Sequence, residues 1–519
     1  MLQGRSHQVL RKLLPSITRP LRYQVTATSS DNTLGKEKAK PFIEIPGPTG
    51  LYSVPYLGTV LNFKPFTKYT IQSLPKLLSI MREKYGDIHT MTLGKSPVVF
   101  VHHPDYVKTL LQQPYKLFIR SALDLIEVFH QRNDATKTLP ILKGEEWAAL
   151  RKPAQEKMLR PAVVASYTPL IGGVTNDFII RLRQRGTTDD LLAELMNYTT
   201  ESICMLCFNR RFGCLDGGPP AEVIQHIQAL FDCLQESLYM PIKTFMYYRT
   251  KMYKKFETAR LNINRIVKGE LNRQVEFLNQ LEKDGTLEEY LEKEPNFMHS
   301  LISDPRMDQQ SVIGIIISLI SAGVDSTANS LVFVLADLAL HPEKQDAAYR
   351  EIQSVLGDNP DLTKEHLANM PYLKACVKES HRQTFPIILG TARITEFDIV
   401  IGGYHIPPGK AVLTNMSAMC MDERFFPRPT EFIPERWLRD TDEDIAKGQD
   451  FPFAFQPFGY GIRGCLGQRF AEMEMYIALA KILQNFEVKM PQEVTEVKSV
   501  YRVFASPAEK VQMHFLDRK

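Results

Sequence analysis

A chain of 519 residues with 44% hydrophobic and 24% charged residues has the make-up of a globular protein. The formal charge of +4 comes from the first forty residues, where Arg5, Arg11, Lys12, Arg19, Arg22, Lys36, Lys38 and Lys40 face only Asp31 and Glu37. The remainder is slightly acidic, which argues against a nucleic-acid partner. Seven cysteines without framework spacing fit a reducing compartment, not a disulfide scaffold.

Residues 1–30 carry five basic residues, no acid and seven Ser or Thr, the composition of a mitochondrial transit peptide. If the first turns are helical, Leu10, Leu13 and Leu14 share a face with basic residues at its flank; the alternative is a disordered basic tail. This stretch has no apolar run of about 18 residues, so no N-terminal membrane anchor is expected. Pro46-Gly47-Pro48 marks the break into the folded body. The expectation is a presequence over 1–38, removed on import, and a single domain over 39–519.

The body opens with a helix over 75–85 closed by Gly86, then strands at 88–93 and 98–101 joined as a hairpin. Residues 104–112 read as a short helix. Residues 117–139 show no clean period and read as a long loop, a frequent place for substrate contacts. Helices then fill roughly 145–355, broken at 213–220 and at Pro241. Strands return only at 391–400 and 411–416, with turns at Gly402-Gly403 and Pro407-Pro408-Gly409. No internal repeat is visible, and the class is mainly α with a small β region.

Several patterns invite a chemical reading beside a plain one. Trp147 and Arg151 share a helix face by the i,i+4 rule, and could simply be an exposed Arg on a Trp. Cys204-x-x-Cys207 could bind metal, but its apolar helical setting favours core packing. Tyr239-Met240-Pro241-Ile242 and Phe245-Met246-Tyr247-Tyr248, followed by Arg249, Lys251, Lys254 and Lys255, could be core or a membrane-surface patch. A long helix is expected from Asp308, a good N-cap, to Leu340, before His341-Pro342. Its apolar run over 312–320 is too short and Ser-interrupted to span a membrane. Inside it, Ala322-Gly323-Val324-Asp325-Ser326-Thr327 is poor helix design, and such rule-breaking in a core is where function is expected. Lys374 and Lys378 form an i,i+4 basic pair, and Glu379 with Arg382 an i,i+3 ion pair; both patterns are common on solvated faces.

The most specific stretch is Phe458-Gly459-Tyr460-Gly461-Ile462-Arg463-Gly464-Cys465-Leu466-Gly467, leading into a helix over 468–486. Glycines let the backbone approach something flat, and a helix start favours a thiolate at Cys465. Such a thiolate serves as nucleophile, redox sensor or metal ligand; the plain alternative is an inert buried cysteine.

Phe-x-x-Gly-x-Arg-x-Cys-x-Gly resembles the haem-ligand loop of the cytochrome P450 family, the haem-thiolate monooxygenases, and the likeness covers about 45–515. It implies a single-domain P450 fold with a long central helix over the haem, and haem b (iron protoporphyrin IX) as cofactor. In that family Cys465 is the axial iron ligand, within a loop framed by Phe458 and Gly467. Trp147, Arg151, Arg393 and Arg463 match positions that bind the haem propionates. Asp325 takes the place of the proton-relay acid, with Thr327 a possible second hydroxyl. Ser326 stands where the family usually has Thr; it keeps the hydroxyl and loses the methyl that stiffens χ1. Glu379 and Arg382, joined by Arg436 of Pro434-Glu435-Arg436-Trp437, match a buried charge cluster that is structural, not catalytic.

The resemblance also speaks to class and partners. With no anchor expected, the chain is similar to the mitochondrial members, whose basic site for an acidic ferredoxin matches Lys374 and Lys378. Glu201-Ser202-Ile203-Cys204, Arg211-Phe212-Gly213 and Ser326-Thr327-Ala328-Asn329-Ser330 look like the sterol and vitamin D side-chain hydroxylases, and invertebrate mitochondrial members share much of this. The implied reaction is hydroxylation of a lipophilic, steroid-like substrate with O2. Electrons come from a ferredoxin served by an NADPH-dependent reductase, on the matrix side of the inner mitochondrial membrane. Xenobiotic oxidation is the alternative, followed by a haem-thiolate isomerase or a haem-binding protein without turnover. By the family's layout, Leu125, Ile126, Phe129 and Leu319 line the substrate pocket. Ala322, Ile387, Ile388 and Phe504 complete it.

Overall fold

The most apolar stretch of the chain becomes its longest buried element, the helix Gln309–Leu340. Asp308 caps it, accepting from Ser311 N at 2.7 Å. It stops at His341, and Pro342 opens the next helix, Pro342–Leu356. By length and composition this helix could cross a membrane, yet most of it is buried against other helices. Leu191–Phe208, Pro371–Gln383 and Gln468–Asn485 pack on it. Close approach is bought with glycine: a Cβ on Gly314 would lie 2.5 Å from the Lys137 carbonyl oxygen, and one on Gly323 3.3 Å from Ile203 Cδ1. The computed structural model describes residues 39–518 except 71–72, 114–117, 120–123, 134, 217–221, 241–242, 294–296, 358, 360, 388–389, 391, 396, 440, 442–444 and 446. The transit-peptide expectation for 1–38 therefore lies outside the described residues.

Beside the helices stands a five-stranded sheet in the order Ile88–Leu93, Ser96–Val101, Ala411–Thr414, Ala392–Thr395 and Phe118–Ile119. The first two strands form the expected hairpin, with Ile88 opposite Val101 and Leu93 opposite Ser96. The parallel pairing of Val99 with Val412 ties it to the later strands. This sheet and the helix Leu74–Tyr85, closed by Gly86 at φ 95°, make a smaller core around Leu78, Met91 and Phe100.

Two expectations are corrected. Within 117–139, read as a loop, Asp124–Asn133 is a helix. Its Leu125, Ile126, Val128 and Phe129 are buried, and Phe129 meets Phe256 edge-on at 5.8 Å. Strands are also not confined to 391–400 and 411–416. Phe486–Lys489, Met513–Asp517 and Thr187–Thr188 form a three-stranded sheet, and Ser499–Tyr501 pairs with Ala505–Pro507. Cys204 and Cys207 are buried in Leu191–Phe208, and burial raises both thiols well above their usual range.

Candidate active site

The cysteine loop folds on itself before the helix Gln468–Asn485 begins. Gly459 and Gly461 sit at φ 72° and 67°, a region that glycine enters without strain. Cys465 N donates to the Phe458 carbonyl at 2.7 Å, and Gly464 N to that of Gly461 at 2.9 Å. These bonds leave the Cys465 side chain exposed, unlike the other six cysteines, which are buried. It opens onto a cavity of about 1200 Å³. Leu319, Ala322, Ser326 and Thr327 of the central helix form part of its wall.

Three arginines and a tryptophan converge on the same cavity. Trp147 and Arg151, on the helix Gly144–Met158, are 6% and 7% exposed. The Arg463 guanidinium lies 3.6 Å from the centre of the Trp147 ring, a close cation–π contact. Arg151 Nη2 donates to the Gly464 carbonyl at 2.8 Å and its Nε to Gln155 at 3.1 Å. Arg393, on Ala392–Thr395, lines the cavity as well. Three guanidinium groups at an apolar cavity suit a ligand with buried carboxylates. Phe458 and Gly467 also line it, and a Cβ on Gly467 would meet nothing within 4 Å, so the floor beside the thiol is open for a flat group. No cluster of three or more His, Cys, Asp or Glu suited to a metal ion occurs among the described residues. A metal held at this cavity would have to arrive within a larger group. Haem fits each of these features.

On the central helix, Ser326 Oγ donates back to the Ala322 carbonyl at 2.7 Å. Asp325 has its carboxyl pushed up to about 6 by burial, against the opposing pull of Arg502 and Asn329. Thr327 is 3% exposed, and Thr199 Oγ1 donates to the neighbouring Val324 carbonyl at 3.1 Å.

Glu379 and Arg382, on Pro371–Gln383, are fully buried. Arg382 grips Glu379 with Nη2 at 2.8 Å and Nε at 3.0 Å, and Arg436 Nε adds a bond of 3.0 Å. Ile433 N and Trp437 Nε1 donate to the same carboxylate at 3.0 and 2.9 Å. The arginines' remaining donors reach the carbonyls of Cys420, Pro429 and Pro427. Full satisfaction of this kind is what makes a buried ion cluster tolerable. Lys378, on the same helix, is exposed, its ammonium 5.7 Å from the Trp437 ring. Lys374 is half-buried and donates to the Ala368 carbonyl at 3.2 Å.

Of the expected pocket residues, Leu319, Ala322, Ile387 and Phe504 line the cavity, with Ile387 bridged to Phe504. Leu125, Ile126 and Phe129 do not; their helix turns them into the core. Ile388 lies outside the described residues. Sequence reasoning missed Asp124 and Lys243, which pair with each other at the cavity, and also Tyr247, His381 and Glu474. No short motif marks them, because packing alone brings them to one wall. Met246, Tyr247 and Tyr248 are 48%, 77% and 73% exposed, while Phe245 between them and the chain is buried.

The family model for cytochrome P450 matches residues 48–515. The chain belongs to that family and is a haem b monooxygenase. It is 29% identical over 498 residues to the mitochondrial sterol 26-hydroxylase of Rattus norvegicus, covering 93% of this chain and 90% of that protein. To the mitochondrial 1,25-dihydroxyvitamin D(3) 24-hydroxylase of Mus musculus it is 30% identical over 451 residues, covering 86% and 83%. Cytochrome P450 CYP12A2 of Musca domestica is 28% identical over 502 residues, covering 92% and 91%.

Proposed function

We propose that this monooxygenase hydroxylates a steroid-like lipid in mitochondria, with electrons from a ferredoxin that docks at Lys374 and Lys378. The observation that carries the reading is the cavity of about 1200 Å³, with the Cys465 thiol and the Ser326 hydroxyl on its walls. The sterol and vitamin D relatives support the substrate class.

Haem, bound there, supplies dioxygen activation, so that one oxygen atom enters a C–H bond of the substrate and the other leaves as water. Cys465 would be its thiolate ligand, and Arg151, Arg393, Arg463 and the Trp147 indole would hold its carboxylates. Glu379, Arg382 and Arg436 fix the segment around the loop. Asp325, with a carboxyl near 6, accepts and releases a proton close to neutral pH. Ser326 both donates and accepts; turning from the Ala322 carbonyl toward the cavity hands its proton inward. Leu319, Ala322, Ile387 and Phe504 hold the apolar body of the substrate and exclude water. Exposed Met246, Tyr247 and Tyr248, with Arg249, Lys251, Lys254 and Lys255 exposed beside them, rest on the matrix face of the inner membrane.

The test is a spectral-shift screen of sterols and secosteroids on the haem-loaded protein, followed by turnover with ferredoxin and its reductase. A substrate-induced shift and hydroxylated product are expected. Lys374→Gln with Lys378→Gln weakens apparent ferredoxin affinity at low salt; unchanged affinity refutes the docking site, and failure of every sterol refutes the substrate class.

A further inference from the structure

The cavity wall holds a second buried carboxyl that the mechanism above leaves idle. Glu474 lies on the helix Gln468–Asn485, is 2% exposed, and lines the cavity that Cys465, Arg151 and Arg463 also line. Its Oε1 is buried and has no hydrogen-bond partner. The groups that bear on it from the packed helix Leu191–Phe208 are uncharged. Ser202 is the polar side chain that opposes its protonation. Tyr198 donates through its hydroxyl to the Glu474 backbone carbonyl at 3.3 Å and also meets Thr175 at 3.1 Å. Burial raises the Tyr198 phenol, so it stays neutral. An ionised carboxylate in such a place is costly, and the neutral acid is favoured. Burial accordingly pushes Glu474 up to about 8.

A carboxyl that is buried, leaves one oxygen unpaired and faces a cofactor cavity can answer a change of charge in that cavity. We propose that Glu474 is a redox-linked proton site: when one electron enters the haem centre, one proton from water binds Glu474 Oε1. The electron comes from a one-electron iron–sulfur donor and takes iron(III) to iron(II). The proton forms an O–H bond on the carboxylate and leaves hydroxide in the solvent, so the net charge of the cavity is unchanged. Coupling appears only where the acid is ionised in the oxidised protein, near pH 8 and above. The proton site rests on haem occupancy and not on the substrate, and any one-electron donor serves in place of the iron–sulfur protein.

The experiment is a spectroelectrochemical titration of the haem-loaded full chain with small-molecule mediators from about pH 6 to about pH 10. The wild-type potential is expected to fall above about pH 8 by up to about 59 mV per pH unit, the one-electron value for a tenfold change. Glu474→Gln removes the slope, and Asp325→Asn leaves it in place. A flat wild-type profile, or the wild-type slope in Glu474→Gln, overturns the proposal. If Glu474→Gln fails to load haem, the reduced-minus-oxidised infrared spectrum of the wild type at alkaline pH decides. It should gain the carbonyl stretch of a protonated carboxylic acid, and a spectrum without that gain overturns the assignment. Neither readout needs turnover, so both stand or fall separately from the sterol screen.

Discussion

Replacing Glu379 with glutamine keeps the shape of the side chain and removes its charge, which isolates what that charge does. The carboxylate takes five hydrogen bonds of 2.8–3.0 Å, from Arg382 twice, Arg436, Ile433 N and Trp437. Glutamine turns one of its two oxygens into a donor facing other donors, and leaves two guanidinium groups, 0% and 1% exposed, without a counter-charge. Breaking a buried pair in this way costs roughly 3–5 kcal/mol. With an unfolding entropy of about 2.1 cal/mol/K per residue, a domain this long loses about 1 °C per kcal/mol, so Tm falls by about 3–5 °C. The assay is thermal unfolding of the haem-loaded protein by circular dichroism, with the carbon monoxide difference spectrum on the same samples. The loop carrying Cys465 is expected to lose part of its thiolate band as well. A Glu379→Gln protein that melts with the wild type and keeps the full band would show that the cluster neither stabilises the fold nor sets the loop.

Asp325→Asn lowers kcat by roughly 10²-fold while the substrate-induced spectral shift survives, since the lost function is proton delivery; wild-type kcat refutes the relay. Because the folded carboxyl sits near 6 and the unfolded one near 3.8, the native state gains stability as pH falls through that window, and asparagine flattens that gain in urea titrations. Ser326→Thr restores the stiffening methyl and lowers peroxide released per product; no decrease in a coupling assay counts against the reasoning. His89 and His102 stack at 4.9 Å, fully buried, beside Arg82, Asp87 and Arg424. Burial lowers His89 to about 4 and His102 well below 6.5, so the unfolded chain takes up protons first. The urea midpoint therefore drops as pH falls from 6.5 toward 4, and less so in His102→Leu.

The central helix was legible to the residue because its ends are local chemistry: Asp308 caps by a side chain three residues from its donor, and Pro342 starts the next element. The cysteine loop was legible for the same reason, as its turns need Gly459 and Gly461 in place. The helix Asp124–Asn133 was not, since its apolar positions 125, 126, 128 and 129 span little more than one turn inside a long patternless window. The late strands escaped because their pairing is remote, with Met513 opposite Thr188 and His514 opposite Thr187. Cavity membership was the least legible: Leu125 and Asp124 are neighbours in sequence, yet one faces the core and the other the cavity.

The chain has only two tryptophans. Trp147 lies under Arg463 at the cavity, and Trp437 donates to Glu379 within the charge cluster. The protein thus carries a built-in pair of optical reporters, one at the cavity and one in the charge cluster. Emission from Trp147 is quenched when a strongly absorbing macrocycle arrives next to it. Emission from Trp437 follows the making and breaking of its own indole hydrogen bond. Two single-tryptophan variants therefore time two events without any added label: the arrival of the cofactor beside Trp147, and the closing of the Glu379 cluster around Trp437.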